Sequence, residues 1–318
     1  MPAFRQRLRS LRLGRAFYLV RHRPIEWIDA LVAAGGPFEK RRTERGRSDM
    51  EAAAATLPAL PVFSGEQIEL HLLTGRRFWY QTTFCLWTFA RHAKRPLKPV
   101  IYDDGTLATP QMEALARLFP AIRFVPQPAA IERLDALLPQ SRFPVLRERW
   151  QNYPNIRKLI DPHVGSRGWK LVIDSDLLFF RPPAALLAWL DRPDRPLHAV
   201  DCETSYGYSR PLMNDLSGAR VADLVNVGLT GLESASIDWD RLEHWCATLI
   251  ARERTNYYLE QALVAMMVAG RDCSVLSARD YVTLPAEPEA SECRAVMHHY
   301  VANSKRHYFQ RNWRRALA

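Results

Sequence analysis

The chain has 318 residues, 47% of them hydrophobic and 25% charged, with a formal net charge of +10. A folded chain of this length hides about 75% of its unfolded surface, so it needs no disulfide or metal merely to fold. The composition excludes disordered, collagenous and disulfide-scaffold classes, and no run of about 18 apolar residues offers a transmembrane helix.

The charge is concentrated at the ends. Residues 1–47 hold 12 Lys and Arg against four acids, and Lys305, Arg306, Arg311, Arg314 and Arg315 lie at the other end. Basic ends of this kind suit an anionic partner, either lipid headgroups or nucleic acid. Phe4, Leu8 and Leu11 fall at helical spacing between arginines, the pattern of an interfacial amphipathic helix. The apolar run Ala16–Val20 is shorter than the roughly seven residues of a cleavable signal. Pro24, then Ile25–Ala34, then Gly35 and Gly36, predict a short helix with start and stop signals. Residues 37–66 are charged, Ala-rich and punctuated by proline, and read as a linker. The expected division is a basic extension with linker over 1–66 and a folded domain with a basic tail over 67–318. Cys85, Cys202, Cys246, Cys273 and Cys293 are odd in number and form no CxxC, which points to reduced intracellular thiols.

From residue 67 the texture changes. Ile68–Leu73 predicts a strand, Thr82–Ala90 an apolar helix and Pro99–Tyr102 a second strand, followed by the turn Asp103-Asp104-Gly105. Gln111–Phe119 is helical, with Met112, Leu115 and Leu118 on one face, and Ala121–Val125 is a strand. Asn155–Ile160 is helical and Trp169–Ile173 a buried strand. Strands alternating with helices predict α/β layers with largely parallel strands, and such sheets place ligand sites beyond the strands' carboxyl ends. Cys202–Gly218 reads as a long loop beyond a strand, with Tyr206, Tyr208, Asn214 and Asp215 between Gly, Ser and Pro, and long loops of this kind are often functional.

The most informative segment follows Trp169–Ile173. That apolar strand runs directly into Asp174, Ser175 and Asp176, then a hydrophobic stretch and Pro182-Pro183. In extended backbone, residues i and i+2 point to the same side, so both carboxylates address one point. Two hard oxygen ligands suit Mn2+ or Mg2+, which in turn bridges a diphosphate.

This segment resembles the retaining glycosyltransferases of the GT-A fold, family 8 type, which carry a strand ending in Asp-x-Asp. Other matching segments follow in the same order over roughly residues 67–309. Leu224–Leu229, with Asn226 and Gly228, resembles the family's Phe-Asn-x-Gly strand. Glu260-Gln261, opening the helix Glu260–Val268, resembles its Asp-Gln pair, and His299 to Lys305 resembles its His-x-x-Gly-x-x-Lys signature. The resemblance implies that Asp174, Asp176 and His299 hold the metal and that Lys305 holds the diphosphate. It implies that Asn226 reaches the donor sugar and that Glu260 and Gln261 lie near the reaction centre. It also implies that Arg157 contacts donor sugar and a metal-site carboxylate, and that Thr74 and Gly75 meet the nucleotide base. His298 stands beside His299; in a strand the two rings face opposite sides, and the six-residue offset to Lys305 favours His299. Ala302, Arg306-His307 and Glu260 depart from the family's Gly, Pro-Trp and Asp.

The expectation is a metal-dependent glycosyltransferase. It would move a sugar from a nucleotide diphosphate donor, UDP-linked by resemblance, to a carbohydrate or glycoconjugate hydroxyl with retention. It would be cytoplasmic, with basic ends suited to an anionic membrane face. The alternatives are an inverting GT-A transferase, a sugar nucleotidyltransferase and a basic nucleic-acid-binding protein. The last is disfavoured because the charge lies in the ends and no RRM, KH or zinc-finger pattern occurs.

Overall fold

The structure, a computed structural model, describes residues 35–317. The amphipathic pattern of residues 1–20 and the helix expected over 25–34 lie outside the described residues. In chain order the strands are β1 (Ile68–Thr74), β2 (Leu97–Asp103), β3 (Arg123–Val125), β4 (Trp169–Ile173), β5 (Leu177–Phe179), β6 (Leu197–Val200), β7 (Val225–Glu233), β8 (Ser274–Val275), β9 (Tyr281–Thr283) and β10 (Met297–His299). The main helices are α1 (Pro37–Ala55), α2 (Trp79–Ala93), α3 (Thr109–Leu118), α4 (Gln127–Leu137), α5 (Pro144–Asn152), α6 (Arg157–Ile160), α7 (Ala184–Asp191), α8 (Arg210–Ser217), α9 (Trp239–Glu253) and α10 (Leu259–Met267).

Seven strands form one mixed sheet in the order β3-β2-β1-β4-β7-β6-β8. β3, β2, β1 and β4 run parallel, so their carboxyl ends share one edge. β7 is antiparallel to both β4 and β6. The other three strands form a small sheet, β5-β10-β9, in which His299 pairs with Leu177. The chain leaves the large sheet at Ile173 and enters the small one at Leu177, so Asp174 and Asp176 lie at the junction of the two.

Every residue of α2 from Trp79 to Ala90 is buried. Its Thr83 and Thr88 hydroxyls donate to carbonyls one turn back, at Trp79 and Phe84, which satisfies them without water. Phe84 and Phe89 pack edge-on against Trp313 and Phe179, so α2 joins the small sheet and the C-terminal segment in one apolar core. A second core lies around α9 and α10.

Two expectations are corrected. The presumed linker begins with α1, a 19-residue helix that buries Gly46, Met50 and Ala54. The presumed loop Cys202–Gly218 ends in α8, and its Tyr206 and Tyr208 are buried. Tyr206 Oη donates to the Ala222 carbonyl and accepts from the Val225 amide, and Asn214 accepts from the Val221 amide. Tyr206, Tyr208, Asn214 and Asp215 are not among the residues lining the cavity at Asp174 and Asp176, whereas Cys202, Glu203 and Ser205 of the same stretch are. Among the described residues no helix is long and apolar enough to cross a membrane.

Candidate active site

Backbone pairing fixes the strand-to-carboxylate junction. The Asp174 amide donates to the Gly228 carbonyl at 2.8 Å, and the Tyr300 amide donates to the Asp176 carbonyl at 3.0 Å. Asp174 is thereby tied to β7 and Asp176 to the end of β10. The ligand atoms of Asp174, Asp176 and His299 lie within 4.8 Å of one another. His299 Nε2 stands 3.4 Å from Asp176 Oδ1 and 3.6 Å from Asp174 Oδ2. His298 turns to the other face, where Glu289 and Tyr300 engage its ring.

Gly228 is the floor under the imidazole. A Cβ there would lie 2.2 Å from His299 Cε1, so only glycine lets the ring reach the carboxylates. Asn226 supports the same turn, its Oδ1 accepting from the Gly228 amide at 2.9 Å. Burial alone would discourage charge on His299, but Asp176 and then Asp174 raise its pKa overall. Burial likewise pulls Asp176 upward, yet His299 and Lys305 hold it well below the usual carboxylate range.

The donor set fits a divalent cation. His299 Nε2 is buried without a hydrogen bond and points between two carboxylate oxygens. A buried polar atom left in that state is costly unless something occupies it. Adjacent ligands of a six-coordinate ion at about 2.1 Å lie about 3 Å apart, and His299 Nε2 stands 3.4 and 3.6 Å from the two carboxylates. One imidazole with two carboxylates suits Mn2+ better than Mg2+.

Two lysines flank the triad. Lys305 Nζ lies 3.1 Å from Asp176 Oδ2. Lys158 Nζ lies 2.8 Å from Asp174 Oδ1 and 3.4 Å from Glu260 Oε2. Burial would strip the charge from Lys158, but Asp174 and Glu260 hold it protonated. Burial pushes the Glu260 carboxyl up to about 7; Lys158 opposes this and the Asp174 charge adds to it. Gln261 Nε2 donates to Asp201 Oδ2 at 2.9 Å. These groups, with Asn226, line a cavity of about 390 Å³ whose mouth carries Tyr257 and Tyr258.

The structure does not bring every expected residue to this cavity. Arg157 donates to Asp161 Oδ2 at 3.0 Å and to the Asp103 carbonyl at 2.8 Å, and lies over the Trp150 ring. It therefore ties α6 to the end of β2, while its neighbour Lys158 reaches Asp174. Successive residues of a helix point about 100° apart, so only one of the two cations can face the cavity. Thr74 is buried with its hydroxyl accepting from Thr82, and a Cβ on Gly75 would lie 2.0 Å from Asp104 Oδ1. Both pack against the turn after β2 and are not among the cavity-lining residues. Sequence reasoning passed over Lys158 and Asp201, and the adjacent pair of cations in α6 was the available signal for the first.

A large sheet with β7 antiparallel beside β4, an Asp-x-Asp junction and a small second sheet define the GT-A fold. Two solved structures share it. Over 75% of this chain and 99% of its own, mouse xyloside xylosyltransferase 1 in its apo form superposes with a TM-score of 0.51 at 14% identity. The galactosyltransferase LgtC, solved with donor and acceptor sugar analogues, superposes over 79% of this chain and 95% of its own, with a TM-score of 0.52 at 11% identity. No protein-family profile and no curated protein sequence matches the chain.

Proposed function

We propose that this protein is a metal-dependent glycosyltransferase. It would take a sugar from a nucleotide diphosphate donor, UDP-linked, and pass it to a carbohydrate or glycoconjugate hydroxyl with retention of configuration. The observation that carries the reading is the convergence of Asp174, Asp176, His299 and Lys305 in one cavity, with Glu260 joined to Asp174 through Lys158 and Gln261 lining the same cavity. UDP and retention rest on the family resemblance set out above.

Asp174, Asp176 and His299 would hold Mn2+ or Mg2+. When bound, that ion supplies Lewis acidity toward the departing diphosphate. Lys305 places a second cation where the leaving group gains charge, a contact that strengthens toward the transition state. Lys158 keeps Asp174 and Glu260 oriented in a buried setting. Glu260, with its carboxyl near 7, exchanges a proton close to neutral pH. Asn226 and Gln261 offer amide groups to sugar hydroxyls. The basic ends support peripheral attachment to an anionic membrane, since each Lys or Arg near such a surface contributes about 1 kcal/mol.

Titrating UDP by calorimetry with and without Mn2+ tests the reading. Binding that requires the ion is the expected result, and a screen of UDP-sugars for UDP release then finds the donor. Metal-independent UDP binding, or preferential binding of RNA, would overturn it. Pyrophosphate production from UTP and a sugar phosphate would mark a nucleotidyltransferase instead.

A further inference from the structure

We infer that α1 (Pro37–Ala55), which precedes the segments that carry the family resemblance, belongs to the active-site machinery. It braces the segment that presents Lys305 to Asp176, and Gly46 is its positioning residue. The inference rests on the nucleotide-sugar reading above for what Lys305 contacts.

The C-terminal segment passes through a 3-10 turn (Ala302–Ser304), a helical turn (Lys305–His307) and a π-helical turn (Tyr308–Asn312). In the π turn the Trp313 amide donates to the Tyr308 carbonyl, and the Phe309 carbonyl accepts from the Trp313 indole at 2.9 Å. That carbonyl faces Gly46. A Cβ on residue 46 would lie 2.1 Å from the Phe309 oxygen and 2.8 Å from its carbonyl carbon. Both neighbours are backbone, so neither can swing aside as a flexible side chain would.

The approach is locked on both sides. Gln310 Nε2 reaches back to α1, donating to Glu39 Oε2 and Thr43 Oγ1 at 2.9 Å each. The Arg47 guanidinium lies over the Phe309 ring, and Arg314 pairs with Asp49. On its far side the π turn is fixed to the metal site, because Tyr308 stacks on Tyr300, the residue after His299. Lys305 lies three residues before Tyr308, on a side chain 37% exposed, with its ammonium 3.1 Å from Asp176. Moving the π turn moves the turn that carries Lys305.

Alanine is the better helix former, so a helix serving only its own stability would gain from Gly46→Ala. A brace predicts the opposite for ligand binding. UDP with Mn2+ is the probe, titrated into the full-length chain. Lys305→Ala should weaken binding about tenfold, the worth of one charge-assisted hydrogen bond. Gly46→Ala should reproduce most of that loss, and adding Lys305→Ala to it should cost less than about threefold more. Thr43→Val, which removes one acceptor of Gln310 without adding bulk, should weaken binding in the same direction. Glu44→Ala, on the outer face of α1, should bind like the wild type. Wild-type affinity in Gly46→Ala and Thr43→Val, or losses that simply multiply in the double variant, would overturn the brace alone. Absence of Mn2+-dependent UDP binding in the wild type would remove the nucleotide reading and the brace together.

Discussion

Replacing Lys158 by methionine tests the electrostatics of the cavity. The ammonium is the cation shared by Asp174 and Glu260, and its side chain is only 12% exposed. Removing one partner of a buried pair costs about 3–5 kcal/mol, because the remaining charge is uncompensated. In a chain of this size that is a fall in melting temperature of about 4–8 °C. The loss should depend on pH. The Glu260 carboxyl titrates near 7 in the folded protein against an ordinary value of 4.5. As pH rises the unfolded chain releases this proton first, so the folded state binds more protons between those values. Its stability therefore falls across that window, by about 3 kcal/mol in total. At pH 6 the Glu260 carboxyl is protonated in wild type and variant alike, so only the Asp174 contact is lost; at pH 8 the wild type also gains from an ionised Glu260 beside Lys158, which the variant lacks, so the variant should lose more there. Thermal melts of the metal-free protein at the two pH values, with Glu260→Gln as reference, measure this directly. Added Mn2+ should recover part of the loss, since Asp174 regains a cation. Equal deficits at pH 6 and pH 8 would refute the reasoning.

Gly228→Ala should displace the His299 ring and lower Mn2+ affinity about 10- to 100-fold, read by the paramagnetic signal of bound Mn2+, with little change in far-UV circular dichroism. Lys305→Ala should lower kcat by roughly 10²–10³ while Arg315→Ala leaves it unchanged; equal small effects in both would take Lys305 out of the site. Liposome co-sedimentation should be strong for anionic vesicles, weak for neutral ones and steeply reduced by salt, and indifference to lipid charge would refute membrane attachment through the basic ends.

Much of the fold was legible because its signals are local. Trp169–Ile173 is a run of apolar and β-branched residues bounded by Gly168 and Asp174, and it is a strand over those residues. The opposite orientation of His298 and His299 follows from strand alternation alone. α1 was missed for an equally physical reason. Its buried positions, Gly46, Met50 and Ala54, do recur every four residues, but two of the three are too small to register as an apolar stripe. Tyr206 and Tyr208 were assigned to a functional loop because aromatic and polar residues mix there. Sequence spacing does not reveal that the Tyr206 hydroxyl closes a turn of its own chain. Lys158 needed the phase of one short helix, which its four residues are too few to define.

The cation-binding triad draws on both sheets: Asp174 ends β4 of the large one, while Asp176 precedes β5 and His299 lies in β10 of the small one. A chain in which only the large sheet had formed would offer one carboxylate and little affinity. If the triad holds an ion, coordination would act as a checkpoint on maturation: a molecule that captured it would already have docked its two sheets, seated β10 and admitted the imidazole over Gly228. On the reading proposed above, misassembled copies would lack the charge that donor capture requires, and incomplete folding would produce an inert protein rather than a promiscuous one.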